Sequence, residues 1–136
     1  RYGVLVDIAE RVFRGEAVDI STPYVNVIWQ RDAVSRTIRC MELASSPPAV
    51  INITGPEKAS VRAVAESFGR IFEREPRFTG EPSKTAWLSS SAYSDRLFGK
   101  PEVGLEEMIP LIAKYIQKGG ETLNKPTKFE VRSGEF

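Results

Sequence analysis

The sequence contains no histidine. That absence removes Ser-His-Asp and Cys-His catalysis and leaves zinc without its commonest nitrogen ligand. A single cysteine, Cys40, excludes an internal disulfide framework and fits a reducing cytoplasm. Runs of apolar residues are short. None approaches the roughly 20 residues that span a bilayer, and no signal-peptide core opens the chain. Charge of one sign is missing as well: Lys+Arg 19 against Asp+Glu 18 leaves a net charge of +1. A balanced chain has no electrostatic footprint for nucleic acid. The expectation is a cytoplasmic protein with neither nucleic acid nor membrane among its partners.

Several motifs that carry chemistry are also absent. A Tyr-x-x-x-Lys pair, in which lysine lowers the phenol pKa for hydride-transfer chemistry, is not found. Four residues after Tyr2, Tyr24, Tyr93 and Tyr115 stand Val6, Ile28, Leu97 and Gly119. Gly55 stands where a glycine-rich loop would cradle phosphate, but Pro56, Glu57 and Lys58 follow it. The glycines that admit a pyrophosphate to the backbone are missing, so a plain strand-to-helix turn is expected. Ser89-Ser90-Ser91 has no base to activate a nucleophile and reads as a helix cap. Glu106-Glu107 suits the opening turn of a helix. Glu73 and Glu75 flank Arg74 at a helix end, and Cys40 reads as a small, partly buried thiol.

What is present is a regular alternation of short strands and amphipathic helices. The apolar fraction of 41% over 136 residues is enough for the core of one ordinary domain. Residues 50–54 form a β-branched run that stops at Gly55-Pro56. Ser60 then caps a helix whose Val61, Val64, Ala65, Phe68, Ile71 and Phe72 share one face. Before it, residues 4–16 form a helix with Val4, Leu5, Ile8, Ala9, Val12 and Phe13 as its stripe, and residues 17–21 form a brief extended piece. Residues 24–30 read as a strand, and Asp32 as the cap of a helix that buries Ala33, Val34, Ile38, Met41 and Leu43. Two strands joined by such a helix imply a parallel crossover.

After it, Pro76 stops the helix and residues 76–80 form a third short strand. Residues 92–98 make a short helix closed by Gly99. Residues 105–117 make the last helix, with Pro110 bending or delaying its first turn. Residues 121–136 read as an arm, ordered or weakly stranded around 128–132. A helix-turn-helix is excluded, because no recognition helix follows Phe72 within a few residues. The fold class expected is α/β, a small and mainly parallel sheet with flanking helices.

Three stretches in collinear order resemble the C-terminal part of the extended short-chain dehydrogenase/reductases, the NAD(P)-dependent epimerase/dehydratase family. Val27-Ile28-Trp29-Gln30-Arg31-Asp32-Ala33-Val34 is similar to that family's strand ending in an aspartate that starts a helix. Residues 50–72 are similar to its next strand, turn and helix. Ser89-Ser90-Ser91 through Gly99, with Pro101 and Leu105-Glu106-Glu107-Met108-Ile109, are similar to its closing helical segment. The similarity covers roughly residues 4–118.

The resemblance implies the substrate-side lobe of a Rossmann-type enzyme, with residues 1–120 as the lobe and residues 121–136 as a C-terminal arm outside the family's pattern. The Gly-rich loop and the Tyr-x-x-x-Lys pair of the family belong to its N-terminal half. The expectation is therefore a fragment of a longer protein, inactive alone. It would partner that missing half and a small-molecule substrate, in a homo-oligomer. NAD or NADP is implied for the parent, with no binding to this chain by itself. The arginines that grip nucleotide sugars in many members are not matched here: Val25 stands at the first such position, and residues 81–84 lack the second. A small sugar, sugar acid or other hydroxy/keto compound fits at least as well. Trp29, Gln30 and Arg31, at the carboxyl end of a strand, are the candidate substrate-binding residues. The alternative is a non-catalytic binding or assembly module on the same scaffold.

Overall fold

Three helices carry the core. A computed structural model describes residues 2–131 and places α1 (Val4–Arg14), α3 (Val61–Phe72) and α5 (Leu105–Gln117) against one another. Each contributes the apolar stripe legible in its sequence: Ile8 and Val12 from α1, Val61 and Phe68 from α3, Met108 and Ile116 from α5. Phe68 stacks on Phe72, whose ring meets Phe13 edge-on at a centroid distance of 5.1 Å. Full burial of one such side chain stabilises by about 1.5–3 kcal/mol, so this cluster outweighs any surface pair in the chain.

The strands are short. β1 (Ala17–Asp19) pairs in parallel with β4 (Arg77–Thr79), in the register Val18 to Phe78. Val18 is fully buried, which fixes the register: a slip of one residue would turn it out to solvent. β2 (Tyr24–Val25) pairs antiparallel with β3 (Ala59–Ser60), and Val25 makes one parallel bridge to Trp87. The α/β class, the presence of a parallel sheet and the positions of four of the helices agree with the sequence expectation, although the strands that pair in parallel are β1 and β4.

Two expected strands are different. Residues 24–30 form a ladder only at Tyr24 and Val25, and α2 (Gln30–Arg39) begins at once, with Trp29 rather than Asp32 at its cap. Residues 50–54 form no strand, and their backbone makes no hydrogen bond to the described residues. The two runs therefore do not pair as a parallel crossover. Yet residues 50–53 keep the alternation of a strand, with Val50 and Asn52 exposed and Ile51 and Ile53 half-buried. Strand-forming side chains make a strand only when a neighbouring backbone is there to bond.

The same shortage shows on α2 and the 3-10 turn after it, Cys40–Leu43. Val34, Ile38 and Met41 were expected in the core, but Ile38 is 61% and Met41 75% exposed. The face that α2 buries is polar, Asp32 and Arg36.

Helix ends obey local chemistry. The Ser60 hydroxyl accepts a hydrogen bond from the Ala63 N–H at 3.3 Å, as expected of its cap. α3 stops at Phe72, short of Pro76, because Glu73 takes the left-handed conformation (φ 53, ψ 41) and closes on the Gly69 carbonyl. A β-carbon is disfavoured there by about 1 kcal/mol, and a carboxylate faces the negative end of the helix dipole. Glu73→Gly should therefore raise stability by about 1 kcal/mol, seen as a rise in Tm of roughly 3–5 °C. An unchanged or lower Tm would show that Glu73 is not strained. α5 starts at Leu105 without delay, and Pro110 is accommodated within it.

Candidate functional site

The polar face of α2 is built around Arg36. Its guanidinium donates to the Ser94 hydroxyl at 3.1 Å, to Asp95 Oδ1 at 2.8 Å and to the Gly99 carbonyl at 2.5 Å. Those partners belong to α4 (Ala92–Phe98) and its C-cap, so one buried side chain ties two helices together. Ser91 donates to Asp95 Oδ2 at 2.6 Å, and the Ser94 hydroxyl to the Ser91 carbonyl at 2.9 Å. The serine run is thus part of this network. Burial pushes the Asp95 carboxyl up, but the hydrogen bonds from Ser91 and Arg36 and the charges of Arg36 and Lys100 outweigh it and hold the group below its ordinary value. Gly99, with φ 81 and ψ 174, sits outside the αL region but still in a conformation that suits only glycine.

Two carboxylates brace the start of α5. Asp32 Oδ2 accepts the Val103 N–H at 3.0 Å, and Glu57 Oε1 accepts the Leu105 N–H at 2.8 Å. Helix N-termini attract anions, and here the anion is internal. Gly55 is needed for contact, not for a ligand: a Cβ there would overlap the Val27 carbonyl oxygen. The Gly55-Pro56-Glu57 turn therefore does not fit a dinucleotide pyrophosphate. Among the described residues there is also no cluster of three or more metal-ligating side chains.

Trp29 and Gln30 lie together on a cleft of about 540 Å³ between α1, the segment after β2, and α5, beside Tyr2, Leu111 and Tyr115. Trp29 is half-buried and packs against the core, whereas Gln30 is exposed. Arg31 does not line this cleft. It is exposed and forms an ion pair with Glu102 at 2.6 Å.

A second cleft, of about 760 Å³, opens between β2, the segment 85–89 and the arm. Asn26 organises its edge. Its amide donates to the Glu57 carbonyl at 3.1 Å, and its Oδ1 accepts the Ser89 N–H at 2.7 Å. The described part of the arm, residues 121–131, closes the far side without forming a strand. Thr127 donates twice to Asp7, from its N–H and its hydroxyl, Glu130 pairs with Arg11 at 2.8 Å, and Phe129 is buried in the core. Arg132, the end of the alternating patch, lies outside the described residues.

Sequence reasoning missed Arg36 and this second cleft. Asp32 and Arg36 are four residues apart on one helix face, a polar stripe opposite the apolar one, and that spacing was the available signal. Nothing in the sequence pointed to the arm as a wall.

No family model and no curated protein matches the chain. Solved structures do. The UDP-glucose 4-epimerase of Thermus thermophilus, in complex with NAD, superposes with a TM-score of 0.65 at 17% identity, over 84% of this chain and 40% of that one. The UDP-glucose 4-epimerase of Thermotoga maritima, with UDP-glucose, gives 0.63 at 25% identity, over 86% and 40%. The UDP-glucuronic acid 4-epimerase of Bacillus cereus, in complex with NAD, gives 0.65 at 20% identity, over 88% and 40%. This chain spans about 40% of the length of each. Its fold is that of the C-terminal lobe of such extended short-chain dehydrogenase/reductases, as the three sequence stretches implied.

Proposed function

We propose that this chain is the substrate-side lobe of an NAD(P)-dependent epimerase, dehydratase or reductase acting on a sugar or related hydroxy/keto compound. The observation that carries the reading is the strand-like run 50–54, whose backbone has no partner among the described residues, within a fold shared with the C-terminal lobe of NAD-bound epimerases. Unpaired backbone on a strand-forming run, and an exposed apolar face at Val34, Ile38 and Met41, are what a lobe presents to a sheet that covers it. The partner proposed is the dinucleotide-binding half of the same enzyme, which would supply the Gly-rich loop, the Tyr-x-x-x-Lys pair and the bound NAD(P).

This lobe would then shape the pocket over the nicotinamide. Trp29 and Gln30 are proposed to contact substrate from their shared cleft, with Arg31 placed beside them by its pair with Glu102. The whole enzyme is proposed to be a cytoplasmic homo-oligomer. No helix among the described residues is long and apolar enough to cross a membrane.

Calorimetric titration of the 136-residue chain with NAD and NADP should give no heat of binding, since the Gly55 turn is pressed against the Val27 carbonyl and lacks the further glycines that admit a pyrophosphate. Micromolar affinity would overturn the division of labour. The second reading, a non-catalytic binding module on the same scaffold, separates from the first on the sequence ahead of Arg1.

A further inference from the structure

The arm-walled cleft has three properties that the scaffold does not require. Among its lining residues only Lys128 is charged, and this lysine makes no ion pair with the described residues. Thr54 lines the same cleft at 9% exposure, and its hydroxyl makes no hydrogen bond to any described residue. Lys128 also holds a left-handed backbone conformation, φ 52, which costs a non-glycine residue about 1 kcal/mol or more. Its neighbours hold it there: Thr127 is fastened to Asp7, Phe129 is buried at 6% exposure, and the Lys128 carbonyl accepts the Val131 N–H at 2.9 Å.

A strained cation held between two anchors and a hydroxyl that opens on the cleft with no hydrogen bond to a described residue converge on one cavity, whose other wall is the half-exposed Trp87 and Leu88. Pockets of this kind set a few polar groups among apolar walls, and those groups select the ligand. We propose that the cleft binds a polyhydroxylated small molecule carrying one acidic group, carboxylate or phosphate, with Lys128 taking the acid and Thr54 a hydroxyl. This rests on the reading of the chain as a substrate-side lobe and names the class of ligand for a cleft that adjoins the Trp29-Gln30 cleft at Val4 and Asn26. The specificity lies in the arm, the segment that lies outside the family resemblance. A single lysine matches a single anionic group, whereas a bidentate fork for a diphosphate is absent from this lining.

The test is a two-dimensional ¹H–¹⁵N NMR titration of the 136-residue chain with D-glucuronate, D-glucose 1-phosphate and D-glucose. Both acids should shift the amides of Asn26, Thr54 and Lys128 and bind about three- to fivefold more tightly than glucose, the margin expected of one exposed charge pair. The preferred acid tells carboxylate from phosphate. Lys128→Gln should reduce the acids to the affinity of glucose while leaving glucose unchanged, and Thr54→Val should weaken all three. Equal affinity for acids and glucose, shifts mapping outside this cleft, or acid binding that survives Lys128→Gln would overturn the proposal. Because none of these ligands involves NAD(P), their outcome is independent of whether a dinucleotide-binding half exists.

Discussion

Replacing Arg36 with alanine should destabilise the chain by about 3 kcal/mol, the lower end of the loss expected when one partner of a buried ion pair is removed, because Asp95 is only partly buried. The reason is geometric. Arg36 satisfies Ser94, Asp95 and the Gly99 carbonyl at once, and among the described residues no other side chain of α2 bonds any of the three. Without it, Asp95 keeps a partly buried charge, and the C-cap of α4 loses its donor. Arg36→Lys should recover only part of the loss, because an ammonium is a point charge and cannot span the fork.

The network also sets a pH dependence. Asp95 has a folded-state pKa below the unfolded value, so its contribution is fully present above about pH 4 and is lost as pH falls through the folded pKa. Urea melts between about pH 5 and 2 should show a steeper loss for the native chain than for Asp95→Asn. Parallel curves would remove Asp95 from the network.

The second large effect is at Gly55. A Cβ at this position would run into the Val27 carbonyl oxygen, and backbone atoms have no rotamer with which to retreat. Gly55→Ala should cost about 3 kcal/mol, the upper end of the usual range for overpacking. The strain would spread, because Glu57, two residues on, braces the start of α5, and Asn26 bonds the Glu57 carbonyl. Thermal unfolding should report a large drop in Tm for the alanine variant. A change of less than a degree would mean that the two segments are not pressed together as described.

Legibility followed the source of each element's stability. α1, α3 and α5 bury their own stripes against one another, so their 3.6-residue periodicity was sufficient to find them. Ser60 announced its cap because capping is local, and α1 closes by an equally local device, Gly15 in the αL conformation with φ 72 and ψ 22. The misjudged elements depend on something outside themselves. Residues 50–54 and the face of α2 carry strand and core chemistry but meet no partner in the described residues. On the proposed reading, their sequence records the environment that a dinucleotide-binding half would provide.

Asp32 misled for a different reason. A short polar side chain before an apolar run looks like its own helix's cap, whereas this one braces another helix 71 residues away in sequence. The arm was unreadable because one buried aromatic, Phe129, and polar contacts to Asp7, Glu10 and Arg11 of α1 hold it, and no period announces them.

A lobe completed by a dinucleotide-binding half is the central claim. The measurement that bears on it most directly is the intact mass of the natural protein that carries this chain, with the sequence of whatever precedes Arg1. The prediction is a protein well beyond 136 residues, with a Gly-rich loop between its first strand and helix and a Tyr-x-x-x-Lys pair ahead of Arg1. A natural protein that lacks both would contradict it and leave the binding-module reading in its place.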